Sequence, residues 1–180
     1  MGYRVSWIAR TGTSMDELLR ASRRKRTGEC HEFPDVGFYL LELPKGDLEA
    51  WVVLIADGSD YFMDLDESLA QSLSEGGNET MYFVCSDTVM VTDLKCFRDG
   101  EIVWSIEYDC EDETKRPAIT GDAPAIVNEV LKGLRSQQEN DADTDYIYDL
   151  TAEVGCRLVG FRHDTDFETD DPALFQVLAG

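Results

Sequence analysis

Apolar and polar positions alternate through residues 88–109, and this stretch reads as one long β-hairpin. Its turn is Arg98-Asp99-Gly100-Glu101, with Asp-Gly at the two central positions that a type I′ turn requires to have φ > 0. That turn sets Phe97 opposite Ile102, Lys95 opposite Trp104, Asp93 opposite Ile106 and Val91 opposite Tyr108. One face then gathers Val89, Val91, Phe97, Ile102, Trp104, Ile106 and Tyr108. The other carries Thr92, Arg98, Glu101, Ser105, Glu107 and Asp109, with Met90, Leu94, Cys96 and Val103 among them. Trp104 and Ile106 are expected to lie buried against a helix.

The rest of the chain follows the same reading. Residues 3–9 alternate as a strand, with Tyr3, Val5 and Trp7 on one face. Ser14-Met15-Asp16-Glu17 is a capping box that opens a helix running into Arg23-Arg24-Lys25-Arg26, with Gly28 as its stop. Residues 36–43 and 48–56 read as two strands. The second, containing Trp51-Val52-Val53-Leu54-Ile55, is apolar on both faces and so central in a sheet. Asp64 or Asp66 caps a short helix holding Leu65, Leu69, Ala70 and Leu73, and residues 80–85 form the next strand. The order to that point is βαββαβ, the ferredoxin-like order. Beyond the hairpin, Asp122 caps a helix with Pro124 in its first turn and Ile126, Val127, Val130, Leu131 and Leu134 as its buried stripe. Residues 137–145 read as a mobile acidic loop, residues 150–159 as a helix stopped by Gly160, and Asp171-Pro172 as the start of a last short helix with Leu174, Phe175, Val177 and Leu178. The fold class expected is α+β: a mainly antiparallel sheet, a long hairpin and a helical C-terminal part. Residues 1–180 form one domain, sheet-rich over 1–112 and helical and acidic over 113–180.

Charge changes this picture. There are 37 acidic against 16 basic residues, a net charge of −21. Residues 1–31 hold seven basic and three acidic side chains, a net of +4, which leaves −25 for the remainder. Such a surface repels nucleic acid and anionic membrane and attracts a basic protein. The basic run from Arg23 to Arg26 reads as cations complementing a helix C-terminus rather than as a phosphate or nucleic-acid patch. No apolar run reaches the ~20 residues of a membrane span. The first residues lack a signal-peptide apolar region, so the expected location is the cytoplasm. Five cysteines, with no CxxC spacing, read as buried small hydrophobes in a reducing compartment.

Candidate chemistry is sparse. Asp141, Asp143 and Asp145 begin like a calcium loop, but the sixth position is Tyr146 rather than glycine and the twelfth is Ala152 rather than glutamate. Cys30-His31-Glu32 places a thiol, a base and an acid side by side, yet neighbours in an extended chain point to opposite faces. His163 with Asp164 or Asp149 is the one candidate for catalysis. No spacing supports a metal site or a cofactor.

Trp7-Ile8-Ala9, Phe97-Arg98-Asp99-Gly100 with Val103-Trp104-Ser105-Ile106-Glu107, and Tyr146-Ile147-Tyr148-Asp149 with Gly160-Phe161-Arg162-His163-Asp164 resemble, in order and spacing, a group of uncharacterised bacterial proteins of similar length. That resemblance implies no activity and no catalytic residues. In type alone, small acidic cytosolic α+β chains without catalytic motifs also resemble the immunity proteins of bacterial toxin systems. The function expected is therefore a non-enzymatic acidic binding protein, with an immunity-type inhibitor of a basic toxin as its sharpest form. The alternatives are an enzyme working near His163 and Asp164, and a protein whose acidity serves solubility alone. From residue 139 onward the chain holds eleven acidic residues against Arg157 and Arg162. Asp164, Asp166 and Glu168, with Tyr146 and Tyr148 as aromatic anchors, are the partner-binding residues expected.

Overall fold

A computed structural model of the chain describes residues 4–34, 36–45, 48–58, 65–141, 143–165 and 174–180, without the side chains of 44, 45, 48 and 49. Its framework is one antiparallel sheet. The strands are β1 (Arg4–Arg10), β2 (Lys25–His31), β3 (Gly37–Lys45), β4 (Leu48–Asp57), β5 (Glu79–Ser86), β6 (Val91–Arg98), β7 (Glu101–Asp109), β8 (Ala118–Gly121) and β9 (Phe175–Ala179). They lie in the order β2-β9-β3-β4-β1-β5-β6-β7-β8. The helices are α1 (Met15–Ser22), α2 (Glu67–Leu73), α3 (Ala125–Asn140) and α4 (Leu150–Val159). The α+β class, the mainly antiparallel sheet and the helical C-terminal part are as the sequence reads.

Alternation along the inner strands feeds two cores. Val5, Trp7 and Ala9 of β1, Phe83 of β5, and Trp104, Ile106 and Tyr108 of β7 point to the side covered by α3 and α4. Ile8, Leu54, Tyr82 and Phe97 point to the side covered by α1 and α2. Trp104 is 5% exposed and Ile106 fully buried, both in the same core cluster as Val127, Val130, Leu131 and Leu134 of α3. The α1 capping box forms: the Glu17 N–H donates to Ser14 Oγ (3.3 Å) and the Ser14 N–H to Glu17 Oε2 (2.9 Å). Asp66 caps α2, and Asp64 lies outside the described residues.

Several expectations are corrected. The turn at Asp99 (φ 51°) and Gly100 (φ 80°) holds, and Phe97 faces Ile102, but the ladder shifts between Cys96 and Phe97. Cys96 therefore faces Trp104 and Leu94 faces Ile106. The bulge lets both strands send their longest apolar runs to one core, while Phe97 serves the other and Ile102 stays 47% exposed. Helix α1 stops at Ser22, with Arg23 left-handed (φ 57°), and Lys25 and Arg26 begin an extended strand that Gly28 does not stop. This extra strand interrupts the expected βαββαβ order. Asp122 caps nothing: its N–H donates to the Val103 carbonyl (3.2 Å), and the cap position of α3 is Pro124. Residues 137–140, assigned to a loop by their polarity, complete α3. The final apolar cluster is strand β9, inserted between β2 and β3, rather than a helix. Its expected start at Asp171-Pro172 lies outside the described residues.

Candidate functional site

The acidic C-terminal stretch is ordered by its own polar side chains. At the end of α3 the Asp141 carboxylate accepts from the Asp143 N–H (3.2 Å), the Thr144 hydroxyl (2.9 Å) and the Tyr146 hydroxyl (3.2 Å). Gln138 donates to the Thr144 carbonyl (2.6 Å) and accepts from the Tyr146 N–H (2.9 Å). These bonds hold Asp141 below the usual carboxylate range, the Thr144 hydroxyl first among the causes. Asp145 is engaged elsewhere, accepting from the Tyr108 hydroxyl (2.6 Å). The carboxylates of Asp141 and Asp145 in the abortive calcium loop thus serve different partners.

Residues Tyr146–Asp149 form one 3₁₀ turn that runs into α4. The turn aims Tyr148 inward. Its hydroxyl donates to Asp87 (2.7 Å), lies 3.2 Å from Cys85 Sγ, and its ring packs edge-on against Tyr108 (6.5 Å). Burial raises the Tyr148 pKa, and its two partners add to the rise. Both expected aromatic anchors are therefore half-buried with hydroxyls committed within the chain.

Past α4, Arg162 is a hub. Its side chain is only 15% exposed and meets Asp164 (2.6 Å), Glu153 (3.1 Å) and Asp149 (3.5 Å). The hydrogen bonds that Arg162 donates to Asp164, with the three negative charges, raise its pKa against the cost of burial. Burial pushes Asp164 up, but the Arg162 hydrogen bonds overcome it and hold Asp164 below its ordinary value. Burial also raises Asp149, and there Arg162 does not compensate fully. Three carboxylates around one guanidinium leave the hub negative. Glu153 also receives Arg157 (3.0 Å), one helical turn on. Of the expected partner residues, Asp164 belongs to this hub, whereas Asp166 and Glu168 lie outside the described residues.

The hub forms one wall of a groove of about 390 Å³ between α3 and α4. Ile126, Val130 and Leu134, spaced at i, i+4 and i+8, make its apolar floor, and Glu129, Asp149, Glu153 and Arg157 stand among its polar lining. Sequence reasoning passed over Glu129, Glu153 and Arg162. The available signal was electrostatic: only two arginines stand among eleven acids from residue 139 onward, and Arg162 answers three of them.

The candidate catalytic groups are poorly poised. Burial pushes the Cys85 thiol up to about 12, so no thiolate stands beside Tyr148 at neutral pH. His163 packs on the Phe83 ring (5.5 Å), and burial lowers its pKa below 6.5. Cys30 is exposed on β2, while His31 turns its ring toward Tyr39 (5.8 Å between centroids). Among the described residues no group of three or more His, Cys, Asp or Glu side chains could hold a metal ion, and no helix is long and apolar enough to cross a membrane. Comparison with protein-family models, curated proteins and solved structures finds no match to this chain.

Proposed function

We propose that the chain is an acidic binding protein that receives a basic protein on its α3–α4 face, with inhibition of a basic toxin as the sharpest form of that role. The groove carries this reading. It pairs an apolar floor, able to take a partner's side chain, with Glu129, Asp149 and Glu153, able to meet lysines and arginines around it. The fixed Arg162 hub supports it further: Asp149, Glu153 and Asp164 are held in place before any partner arrives, so little ordering is left to be done on binding. The net charge of −21 supplies long-range attraction for a basic partner. All five cysteines are free, which fits a reducing cytoplasm.

The test is retention of a basic protein from the native host on immobilised wild-type chain, compared with a variant carrying Glu129→Gln, Asp149→Asn and Glu153→Gln. Asp164 continues to hold Arg162 through two hydrogen bonds in that variant (2.6 and 2.9 Å). Retention by wild type and loss by the variant, with unchanged urea midpoints, is the expected result. Equal retention by both moves the interface away from the groove.

A further inference from the structure

The basic run 23–26 reads in sequence as helix-end cations, and the fold separates it into different elements. Arg20 and Arg23 stand at the end of α1, where a dipole account suffices, but Lys25 and Arg26 open β2. A basic side chain on an edge strand discourages aggregation, and β2 is an edge. Neither account requires the cations to converge. All five, Arg20, Arg23, Arg24, Lys25 and Arg26, nonetheless line one broad concavity of about 740 Å³, together with Leu19 and Asp16. Arg26 answers Asp16 (2.6 Å) and also donates to Gln176 (2.7 Å). The Arg24 guanidinium lies over the Phe38 ring, 3.1 Å from its centroid. Arg20, Arg23 and Lys25 form no ion pair among the described residues, in a chain with more than two acids for every base. Arg23 also occupies the left-handed position where glycine costs least, so an arginine there carries a conformational penalty.

From these observations we propose that the concavity binds a compact oligophosphate anion. Guanidinium groups pair with phosphate oxygens through two parallel hydrogen bonds, and four of the five cations are arginines. The site's extent selects for a short ligand. Along β2 the sign reverses at Glu29, three residues and about 10 Å beyond Arg26. Along α1 it reverses at Asp16 and Glu17, in the first turn. A nucleic-acid strand would run onto Glu17 and Glu29, whereas a di- or triphosphate ends before them and meets only Asp16, which Arg26 already answers. At physiological ionic strength charges are screened over about 8 Å, so a bound anion feels the five cations more than Glu17 and Glu29, which lie outside the lining.

Calorimetric titration with sodium pyrophosphate, at low and at high salt, tests the proposal. Binding to the wild type that weakens with salt is expected. A variant with Arg20→Gln, Arg23→Gln and Lys25→Gln keeps the Arg26–Asp16 pair and the Arg24–Phe38 contact, so it should unfold no more easily and bind at least about tenfold more weakly. Arg23→Gly alone should raise the unfolding midpoint while weakening binding, a combination that a purely structural arginine would not give. Cosedimentation with phosphoinositide vesicles, lost in the triple variant, would assign the phosphate to a lipid headgroup; its absence beside pyrophosphate binding assigns it to a free anion. No pyrophosphate binding, equal binding by the triple variant, or sulfate binding as tight as pyrophosphate overturns the proposal.

Discussion

Gly155 of α4 lies directly against the indole of Trp7: a Cβ there would come within 2.9 Å of Trp7 Cζ2. Trp7 has little room to yield, stacked on Phe83 (5.1 Å, 13°) and edge-on to Phe161 (6.1 Å). Gly155→Ala should therefore destabilise by about 1–3 kcal/mol through overpacking, despite alanine's better helix propensity, and urea unfolding measures it. A stabilised variant would mean that α4 can slide off the indole. His163 gives a pH signature. Its folded pKa lies below the ordinary 6.5, so between 6.5 and that lower value the unfolded chain binds a proton that the folded chain refuses. The stability tied to neutral His163 is complete above pH 6.5 and is lost as pH falls through the folded pKa. Replacing His163 with glutamine should flatten the fall in urea midpoint over that window, and parallel profiles would contradict it. Calcium titration should give no stoichiometric heat, because Asp141 and Asp145 are committed to Thr144, Tyr146 and Tyr108; a micromolar site lost in Asp143→Ala would contradict that assignment. At this scale the sequence yields which residues are apolar or acidic, but not where Tyr146 and Tyr148 aim, because a single 3₁₀ turn decides it.

Among the elements, those with a local chemical signature were legible. The Asp99-Gly100 turn, the Ser14–Glu17 box and the Gly160 stop each act within four residues. Elements defined by distant partners were not. Strand β9 and the residue before it carry Leu174, Phe175, Val177 and Leu178, spacing that also suits a helix; the segment is a strand because β2 and β3, over 130 residues earlier, leave a gap for it. Strand β2 is exposed at six of its seven positions and has no apolar alternation to read. The hairpin bulge was equally hidden, since no Gly or Pro marks it at Cys96 and Phe97. On the outer side of β7, Gly121 (φ 69°) sits so close that a Cβ would overlap the Val103 carbonyl at 2.0 Å. Gly121→Ala should loosen β8 from β7 and destabilise the chain by at least about 1–3 kcal/mol. Hydrogen exchange should show the loss of protection concentrated in β8, and unchanged exchange there would mean that the strand pair relaxes to admit a side chain.

At the scale of the whole molecule, the nine strands among the described residues, with helices on both faces, bury apolar side chains above and below the sheet, and this leaves the charged residues to the helix surfaces and sheet edges. The −21 net charge was legible at once; its arrangement was not, since Arg162 collects Asp149 and Glu153 from the start of α4 and Asp164 from beyond its end. If the α3–α4 face receives a basic protein, charge should govern the encounter and the apolar floor should govern residence. The most direct measurement is the association rate of the retained basic partner across a series of ionic strengths, for wild type and for the Glu129, Asp149 and Glu153 variant. The expected result is a wild-type on-rate that falls steeply as salt rises, and a variant whose on-rate at low salt is reduced more than its off-rate is raised. An on-rate indifferent to salt, or one that the three substitutions leave unchanged, would contradict the acidic binding face.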